Sequence, residues 1–454
     1  MPKKKTALTI EERLQQALVP AEEQPYEVPE NWVWVYGKNI FMPMESRKPD
    51  GEDFYYIDID AIDNKNQVVT EAKKIKTAQA PSRASRKLHT GDTVFSLVRP
   101  YLKNIAYIDV QLSDCIASTG FFVCTPNAAL NDKYLYRLMV SSYVVDGLNK
   151  HMKGDNSPSI RKDDIENYPF PLPPLSEQQR IVERIEELFA KLDEAKERLQ
   201  EVADSFAVRK AAILHKAFTG ELTKQWRREN GVSDESWEEK KLGEVGSWLG
   251  GGTPSTSREE YWENGNILWI TSKDMKSAVI EDTLMKVNEI GVKNSSANYI
   301  EKPALLVVMR SGILRRTFPV AMVKKPFTVN QDLKAIVPDK DDLEFLFWML
   351  LSNERRILDS CMKNGTTVES INSNALKAFA FKCPTLPEQH EIVRLIDDLL
   401  ARERSAQQAT EQALASIELM KKSILARAFR GELGTNKASE ANALELLRQV
   451  LAEN

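Results

Sequence analysis

The sequence is poor in the residues that build metal centres, disulfide frameworks and membrane spans. Its 454 residues include only four cysteines and four histidines, and the scattered cysteines predict neither a zinc site nor a disulfide framework. The longest apolar runs, ALLVVM from Ala304 and FLFWMLL from Phe345, are too short to cross a bilayer. The charged start of the chain is not typical of a signal peptide. We therefore expect a cytoplasmic protein without membrane contact.

The motifs of several enzyme classes are missing as well. GGGT from Gly250 lacks the lysine of a phosphate-binding loop. LPPL from Leu172 lacks both the acid or amide and the aromatic residue of an adenine methyltransferase motif. A nuclease motif can be drawn from Asp50 and Glu71-Ala72-Lys73, but spacing this loose arises easily by chance. We expect no catalytic residue, no metal site and no cofactor bound by this chain.

Positive charge is concentrated in two stretches, although the chain as a whole has a net charge of −4. Residues 65–104 contain nine lysines and arginines and two acids, and residues 302–334 contain seven and one. Two basic stretches are what phosphate contact in two places requires. A solvated basic face is an adequate explanation of either stretch taken alone.

One long segment occurs twice, at an offset of 211 residues. Residues 170–223 align without a gap to residues 381–434, and 20 of the 54 aligned pairs are identical. Two copies are too few for a solenoid, which needs several stacked units. They indicate an approximate internal two-fold axis, which suits a two-fold target or two identical partners.

Each copy has the pattern of a long helix that pairs with another. Apolar residues fall at the a and d positions of a heptad: Ile181, Ile185, Leu188, Leu192, Ala195, Leu199, Val202, Phe206 and Ile213, then Ile392, Ile396, Leu399, Ala406, Ala413, Ile417, Met420 and Ile424. Arg209, Glu403 and Thr410 interrupt this seam, and Gly220 and Gly431 mark the helix ends. We predict an antiparallel coiled coil. The alternative is that each helix packs on its own domain.

The segments outside the helices have a mixed pattern of strands and short helices. TVFSLVRP from Thr93 and ALLVVMRS from Ala304 predict buried strands. The arginines that follow them, Arg99 and Arg310, are related by the same offset. Further matches at this offset are Gly154 with Gly365 and Ser159-Ile160 with Ser370-Ile371. The sequence therefore predicts duplicated domains whose surfaces have diverged, as suits two modules that read different things.

The candidate DNA-binding residues lie in or near the basic stretches. Thr253 and Ser255 follow glycines that allow close backbone approach. Asn330 and Gln331 have the amides that pair with adenine, although turn chemistry explains Asn330 equally well. Each arginine can grip guanine, clamp a phosphate or form a structural ion pair. The predicted set is Arg99, Tyr101, Lys103, Thr253, Ser255, Lys273, Arg310, Arg315, Arg316, Asn330 and Gln331.

The openings PLPPLSEQQRIV and CPTLPEQHEIV, the heptads behind them, the AF.GEL endings and the GGTPS and ILWITSKD stretches together resemble the specificity subunits of type I restriction–modification systems. The resemblance covers nearly the whole chain. It implies an α+β fold with two target recognition domains separated by two long helices, which form an antiparallel coiled coil with pseudo-two-fold symmetry. The parts are an N-terminal extension (1–28), recognition domains (29–169 and 225–380, with a linker at 225–236), helical regions (170–224 and 381–434) and an amphipathic tail (435–454). The extension, with a weak basic patch at residues 3–5, departs from the family pattern.

This resemblance implies a non-catalytic DNA-recognition subunit of a phage-defence system, in which each recognition domain reads half of a split, asymmetric site in double-stranded DNA. It also implies that the helical regions set the spacing of the half-sites and bind two methyltransferase subunits, which two motor–nuclease subunits join. S-adenosylmethionine, ATP and Mg²⁺ are then used by the partners, which methylate a flipped adenine. Residues shared by the helical copies outside the seam are predicted partner contacts: Gln178, Phe218, Glu221, Gln389, Phe429 and Glu432.

Two rival functions remain open from the sequence alone. One is a coiled-coil scaffold whose intervening domains bind protein, which salt-dependent binding to duplex DNA would distinguish. The other is a self-contained fusion of nuclease and specificity functions, which a metal-dependent cleavage assay would reveal.

Overall fold

A computed structural model describes residues 9–363 and 368–453. Gly365 and the basic patch at residues 3–5 lie outside the described residues. The chain forms two compact units. Unit 1 contains Met1–Gln200 and Gln412–Asn454, and unit 2 contains Glu201–Glu411. The amino-terminal and carboxy-terminal segments of the chain therefore belong to the same unit.

The helices differ greatly in length, and two of them are far longer than the rest. In chain order they are α1 (Ile10–Ala17), α2 (Asp132–Met139), α3 (Ser142–Asn149), α4 (Lys162–Glu166), α5 (Leu175–Phe218), α6 (Lys224–Asn230), α7 (Glu289–Lys293), α8 (Leu343–Ser352), α9 (Glu354–Cys361), α10 (Ser373–Lys377), α11 (Leu386–Ala428) and α12 (Ala443–Glu453).

The strands are short. In chain order they are β1 (Val33–Tyr36), β2 (Asp53–Ile57), β3 (Ile62–Asp63), β4 (Val68–Val69), β5 (Lys73–Lys76), β6 (Ala84–Lys87), β7 (Thr93–Ser96), β8 (Ile105–Tyr107), β9 (Ile116–Ser118), β10 (Phe121–Cys124), β11 (Pro169–Leu172), β12 (Glu238–Lys241), β13 (Gly246–Leu249), β14 (Ile267–Ile270), β15 (Met285–Val287), β16 (Ala304–Val308), β17 (Val320–Val323), β18 (Phe327–Val329), β19 (Leu333–Pro338) and β20 (Ala380–Cys383).

Unit 1 contains two main sheets. One has the order β10-β7-β8 and is antiparallel, and the other has the order β5-β2-β9-β6, with β2 and β9 parallel. Smaller antiparallel pairs join β1 to β11 and β3 to β4. Every residue of β7 and β10 is buried. All residues of β10 are apolar, whereas β7 also buries the polar residues Thr93 and Ser96. Helices α2 and α3 pack on this core, and Asn131 and Ser141 cap them.

Unit 2 repeats this arrangement. Its sheets have the orders β13-β19-β16-β17 and β15-β14-β18, with β14 and β18 parallel, and β12 pairs with β20. Strands β7, β9 and β11 begin 211 residues before β16, β18 and β20, and α4 begins 211 residues before α10. The predicted duplication of the domains is therefore confirmed, because equivalent elements start at equivalent repeat positions.

The long helices pair in unit 1, which contains the first part of α5 and the last part of α11. The Asp193 carboxylate contacts the Lys421 ammonium, and Lys196 Nζ lies 2.7 Å from Glu418 Oε1. Residue numbers rise along α5 while those of the partners fall along α11, so the pairing is antiparallel. Near the start of α5, Ile181 belongs to the same buried cluster as Leu425 and Ala428 of α11.

Unit 2 contains the complementary halves, the last part of α5 and the first part of α11. Leu214 and Ala217 share a buried cluster with Ile392, Val393, Ile396 and Leu400. Arg209 Nε donates to Glu403 Oε2 at 2.8 Å. These two residues interrupt the predicted apolar seam, and the structure pairs them with each other. The predicted antiparallel coiled coil is confirmed within each unit.

Three predicted seam residues do not face the partner helix. Val202, Ala406 and Met420 are exposed. Ala203, which follows Val202, and Lys421, which follows Met420, are partly covered. A straight helix of 3.6 residues per turn drifts by about 20° per heptad from a strict seven-residue repeat. Val202 lies three heptads after Ile181 and Met420 four heptads after Ile392, where the face that meets the partner has moved toward the following residue. Ala406 lies only two heptads after Ile392 and is followed by the exposed Gln407, so this drift does not account for it. The assignment of Val202, Ala406 and Met420 to the seam was therefore wrong.

The N-terminal extension and the C-terminal tail pack together in unit 1. Leu14 of α1 and Leu447 of α12 are buried in one cluster, and Arg13 Nη1 donates to the Leu451 carbonyl at 3.3 Å. Arg448 lies 3.4 Å from Glu11. The extension, whose role the sequence left open, therefore contributes to the core of unit 1 through α1.

Candidate nucleic-acid interface

An open cleft of about 1010 Å³ lies in unit 1 beside the loop that follows β7. We call it cleft 1. Arg99 is the one residue of the predicted DNA-binding set that lines it. The lining residues are Tyr56, Asp58, Ile59, Asp60, Ile62, Asp63, Asn64, Lys65, Arg83, Val98, Arg99, Leu102, Asn104, Ser118 and Ser157.

Arg99 is exposed and its backbone is held in an unusual conformation. Its φ of 47° and ψ of 56° lie in the left-handed region, which an L-residue before proline rarely adopts. The Arg99 amide donates to the Pro158 carbonyl at 2.8 Å, and Nη2 donates to the Asn156 carbonyl at 2.9 Å. These bonds come from one segment, and they fix the direction in which the guanidinium leaves the backbone.

Cleft 1 contains as many acids as bases. Lys65, Arg83 and Arg99 line it together with Asp58, Asp60 and Asp63. The basic stretch begins at Lys65, so the sequence count omitted three aspartates that the fold brings back to the cleft. Two of them have partners of their own. Asp58 pairs with Lys73 at 2.9 Å. Asp63 accepts hydrogen bonds that lower its pKa, and the bond from the backbone amide of Asn66 has the largest effect.

Unit 2 has a corresponding open cleft of about 910 Å³, which we call cleft 2. Its residues Met309, Arg310 and Val368 occupy the repeat positions of Val98, Arg99 and Ser157 in cleft 1. The two domains thus present an arginine at the same place in the same kind of depression. The complete lining is Ser272, Met309, Arg310, Ser311, Gln331, Asp332, Lys334, Lys363, Val368, Ser370, Ile371 and Ser373.

Arg310 differs from Arg99 because a carboxylate is bound to it. Its Nε donates to Asp332 Oδ1 at 2.7 Å, and the arginine side chain remains 56% exposed. The ion pair that the sequence left open as an alternative is thus present in unit 2. This contact uses Nε, so it does not occupy the two terminal nitrogens of the exposed guanidinium.

The predicted polar residues of unit 2 separate into two groups. Thr253 Oγ1 donates to Gln331 Oε1 at 2.9 Å, and both side chains are exposed, with Gln331 lining cleft 2. Asn330 is buried, and its amide is engaged with Asp332 through Oδ1 and Nδ2. The turn chemistry that competed with base reading therefore accounts for Asn330. Ser255 is exposed and bonds to Ser257 at 2.8 Å.

The other predicted DNA-binding residues are exposed or partly exposed but lie outside the two clefts. Tyr101 and Lys273 are exposed, and Lys103 lines a second depression of unit 1 beside the long helices. Arg315 pairs with Glu369, and this hydrogen bond lowers the pKa of the Glu369 carboxyl. Arg316 is exposed.

The structure adds basic residues that the predicted set omitted. Lys65 and Arg83 line cleft 1, and Lys334 and Lys363 line cleft 2. Lys65, Arg83 and Lys334 lie in the basic stretches. The concentration of charge therefore indicated their region but did not distinguish them from neighbouring lysines and arginines. Lys363 lies outside both stretches, and the fold alone brings it to cleft 2.

The predicted partner residues Gln178 and Gln389 are buried and have structural roles. Gln178 Oε1 accepts a bond from the Asn131 amide at 2.7 Å, and Gln389 Oε1 accepts one from the Asp342 amide at 2.8 Å. Each glutamine thereby holds the residue that caps α2 or α8. Each also donates to the carbonyl of the proline five residues before it. We therefore do not include Gln178 and Gln389 among the residues that we propose to contact a partner.

Phe218 and Phe429 likewise point into their own units. Phe429 is buried against Tyr134 with ring centroids 5.4 Å apart, and Phe218 lies 5.5 Å from Phe345. Tyr134 and Phe345 are themselves repeat equivalents. Each ring therefore fastens the end of a long helix to a domain, which is a sufficient reason for its presence in both copies.

Glu221 and Glu432 remain available for a partner. Both are exposed and follow the glycines Gly220 and Gly431, whose φ angles of 78° and 75° end the helices as predicted. Glu221 lies 3.1 Å from Lys216. This exposed pair adds little to stability, so stability alone does not require these glutamates.

Within residues 9–363 and 368–453, no group of three or more histidine, cysteine, aspartate or glutamate side chains is placed to hold a metal ion. Asp50, part of the possible nuclease motif, pairs with Arg47 at 3.2 Å. A helix both long enough and apolar enough to cross a bilayer was not found in the described part of the chain.

Comparison with known proteins gives a consistent result. A family model described as type I restriction modification DNA specificity domain matches residues 38–204 and 234–414. The chain is 40% identical over 159 residues to the type I restriction enzyme EcoR124I/EcoR124II specificity subunit of Escherichia coli, an alignment that covers 35% of this chain and 39% of that protein. It is 26% identical over 353 residues to the EcoDI specificity subunit of Escherichia coli, covering 71% of this chain and 77% of that protein.

Solved structures are similar over most of the length. The HsdS subunit from Thermoanaerobacter tengcongensis superimposes with a TM-score of 0.69 at 26% identity, covering 90% of this chain and 99% of that chain. A chain from a study of complex assembly and conformational transition of the type I R-M system gives a TM-score of 0.68 at 26% identity, covering 90% and 100%. These similarities extend across both units and the helices between their domains.

Proposed function

Because this chain belongs to the family of type I restriction–modification specificity subunits, we propose that it reads a two-part, asymmetric site in duplex DNA, one part with each recognition domain. Family membership makes the chain a non-catalytic recognition subunit that assembles with others. The division of the site between the two domains is the part that we add.

The observation that carries this proposal is the repetition of a cleft with an arginine. Clefts 1 and 2 are built from repeat-equivalent segments, and Arg99 and Arg310 occupy the same position in them. The residues around the arginines differ between the domains. A common frame with different surroundings suits two domains that dock alike on DNA and read different bases.

Phosphate contact and base contact are divided among different residues in this proposal. Lys334 and Lys363 give cleft 2 an excess of positive charge over Asp332, and such charge supports binding to any sequence. Gln331, tied to Thr253 at 2.9 Å, has an amide that can recognise adenine. Cleft 1 has no excess of charge, so its affinity depends more on Arg99 and on basic residues outside the cleft.

We further propose that two methyltransferase subunits, and through them two motor–nuclease subunits, assemble with this chain in the cytoplasm. S-adenosylmethionine, ATP and Mg²⁺ are then used by those partners. Support for two equivalent docking places comes from the duplicated helical segments, whose exposed shared residues include Glu221 and Glu432. The helices are also proposed to set the unread spacer.

Mapping of methylated adenines tests the site. Genomes of the host with and without this gene are sequenced by a method that reports methyladenine. We expect one two-part motif, with a fixed unread spacer, to be methylated only when the gene is present. A continuous motif, or the same methylation in both strains, contradicts the proposal.

Binding measurements on the purified complex test the division of labour. Wild-type complex is titrated with duplexes in which the first half, the second half or neither half of the mapped motif is scrambled. Loss of specific affinity with either half scrambled is expected, together with a steep salt dependence. Salt-independent binding, or no binding, favours the rival function of a scaffold for proteins.

A further inference from the structure

Two exposed aliphatic side chains occupy the same repeat position beside the cleft arginines. Leu102 lies three residues after Arg99, and Ile313 lies three residues after Arg310. Leu102 is 39% exposed and Ile313 is 40% exposed. Single exposed apolar residues are ordinary. Here the same feature recurs in both domains, next to the basic residue that each domain shares with the other.

The loop that carries Leu102 is closed by hydrogen bonds between its own backbone groups. Arg99 and Lys103 both have positive φ angles, 47° and 58°, and they flank a 3-10 turn at Pro100–Leu102. The Leu102 amide donates to the Arg99 carbonyl at 2.9 Å, and the Lys103 amide donates to the Pro100 carbonyl at 2.9 Å. Strained backbone of this kind persists only when its surroundings fix it, and it concentrates at functional sites.

Backbone hydrogen bonds also close the loop that carries Ile313. A 3-10 helix spans Gly312–Arg315. The Leu314 amide donates to the Ser311 carbonyl at 3.1 Å, and the Arg316 amide donates to the Ile313 carbonyl at 2.9 Å. Leu314 is buried and anchors this turn in the core. Both loops therefore fix an aliphatic side chain at the surface.

A comparison of the two loops distinguishes a residue that reads bases from one that serves a step common to both half-sites. Arg-Pro-Tyr-Leu-Lys in unit 1 aligns with Arg-Ser-Gly-Ile-Leu in unit 2, so only the arginine and the aliphatic character are common. A residue that distinguishes bases should differ between domains that read different half-sites. An aliphatic residue retained in both suits a step that both half-sites undergo.

We infer that Leu102 and Ile313 are apolar wedges, each of which enters the duplex and unstacks one base step of its half-site. This inference rests on the proposed function. Leucine and isoleucine are among the side chains that proteins insert between base steps to kink DNA. A base that a partner is to modify must leave the stack, and an opened neighbouring step makes this departure easier. Arg99 and Arg310, three residues away, are placed to hold the backbone of the distorted step.

The test uses the full complex and duplexes that contain the mapped motif. 2-Aminopurine, whose fluorescence rises when it is unstacked, is placed at successive positions of each half-site. Wild-type complex should brighten the probe at one step in each half. Leu102→Ala should remove the increase in one half only and Ile313→Ala in the other, whereas Leu102→Met should retain it.

Matched controls are available among other exposed aliphatic residues. Val110 in unit 1 is 72% exposed and Leu284 in unit 2 is 78% exposed, and neither lies within ten residues of Arg99 or Arg310 in the chain. Val110→Ala and Leu284→Ala should brighten the probes as the wild type does. Because all four positions are exposed, none of the alanine variants should lower the melting temperature of the chain.

The outcomes separate the wedge from the proposed function. If wild-type complex shows no preference for the mapped motif, both ideas fail. If it binds the motif without brightening any probe, only the wedge is overturned. Replacing thymine by uracil removes the methyl group and keeps the base pair. If uracil weakens wild-type binding as much as Leu102→Ala does and no step is unstacked, Leu102 contacts a thymine methyl group and is no wedge.

Discussion

Two buried glutamates at repeat-equivalent positions hold the beginning of each long helix. Glu388 accepts bonds of 2.6 Å from Thr223 Oγ1 and from Arg227 Nη1. Glu177 instead accepts a bond of 2.7 Å from Trp32 Nε1 and one of 2.8 Å from Asn436 Nδ2. A buried carboxylate needs such donors, since an unpaired charge in the interior is costly. The two units satisfy the same requirement differently, since in unit 2 one of the hydrogen-bond donors to the carboxylate is a cation, Arg227.

Removal of that cation should destabilise unit 2. Arg227→Met leaves Glu388 buried without its charge partner, and breaking a buried pair in this way costs about 3–5 kcal/mol. Denaturant unfolding, followed by hydrogen exchange in residues 201–411, measures the loss. The neighbouring substitution Arg228→Met, at an exposed position, should have little effect. The double variant Arg227→Met with Glu388→Gln should recover part of the stability, and no recovery would argue against the buried charge as the cause.

The cleft arginines should affect separate half-sites. Arg99→Ala is expected to weaken binding by about 1–3 kcal/mol on duplexes with an intact first half-site, and Arg310→Ala should do so for the second. If an arginine reads a base, its loss relaxes sequence preference at one position. If it clamps a phosphate, its loss weakens all sequences alike and reduces the salt dependence. Titration of half-site variants at several salt concentrations distinguishes these results.

Arg310 has its own control because Asp332 is bound to it. Asp332→Asn keeps the shape and removes the negative charge from cleft 2, so it should tighten binding at low salt while Arg310→Ala weakens it. A lower melting temperature in Arg310→Ala with DNA affinity and half-site preference intact would identify the 2.7 Å ion pair as purely structural.

At this scale the sequence selected candidate residues, and the structure separates those with structural contacts from those that remain exposed. Arg99 and Arg310 were found because both follow a buried strand at the repeat offset. Gln178 and Phe429 were selected by identity between the copies, but a side chain that holds the capping residue of a neighbouring helix or fills a core is constrained as tightly as one that meets a partner. Burial separates these cases, and burial depends on residues far away in the chain.

At the scale of elements, the long helices were predictable because their pattern is local. Alternating steps of four and three specify the face that meets the partner, and polar residues on that face, such as Arg209 and Glu403, find each other across the pair at 2.8 Å. The gradual rotation of the seam, which exposes Val202 and Met420, was not predictable from a strict seven-residue template. It follows from the winding of each helix against its actual partner.

The segment after α11 is held to α5 by an ion pair that should make unit 1 sensitive to acid. Arg180 donates to Glu440 Oε1 at 2.8 Å and to Oε2 at 2.7 Å, and this bonding is the main reason why the pKa of Glu440 lies below its ordinary 4.5. A lowered pKa in the folded state stabilises the fold above the ordinary value. That contribution disappears as the pH falls through the lowered pKa.

We therefore expect unit 1 to lose stability between about pH 5 and pH 3 more steeply in the wild type than in Glu440→Gln. Hydrogen exchange in residues 9–200, followed across this range, measures the difference. Glu440→Gln should already be less stable at pH 7 because its bonds to Arg180 lack the charge. Equal acid slopes in the two proteins would show that other carboxyl groups dominate.

At the scale of the whole molecule, each unit combines the beginning of one long helix with the end of the other. Unit 1 is completed by residues that follow α11, since Thr435 and Asn436 bond to Glu177 and α12 covers α1. Unit 2 is completed by residues that follow α5, since Thr223 and Arg227 bond to Glu388. This exchange was not predicted, because the domain boundaries were drawn along the sequence while the units cross it.

A chain that ends at Gly434 should consequently lose the stability of unit 1 while unit 2 stays folded. The deletion removes α12 and two donors to Glu177, and it exposes Leu14 and Ala17 to water. Hydrogen exchange should rise throughout residues 9–200 and remain unchanged in residues 201–411. A control chain that ends at Leu451 lacks Ala452 and Glu453, which are exposed, and the terminal Asn454. This chain should behave as the full chain does. Uniform protection in the shortened chain would contradict the exchange of segments between units.

Assembly with partners should depend on the exposed glutamates that follow each long helix. Glu221 and Glu432 are shared by the two copies, remain exposed, and are not required by either core, so two equivalent partners can use them alike. Charge reversal to lysine at one position should remove one partner subunit from the complex, and reversal at both should remove two. Mass measurement of the intact complex gives this count. Glu235→Lys and Glu453→Lys reverse exposed charges at positions without an acidic repeat counterpart and should leave assembly intact. If the double variant assembles fully, the partner surface does not lie at the ends of the long helices.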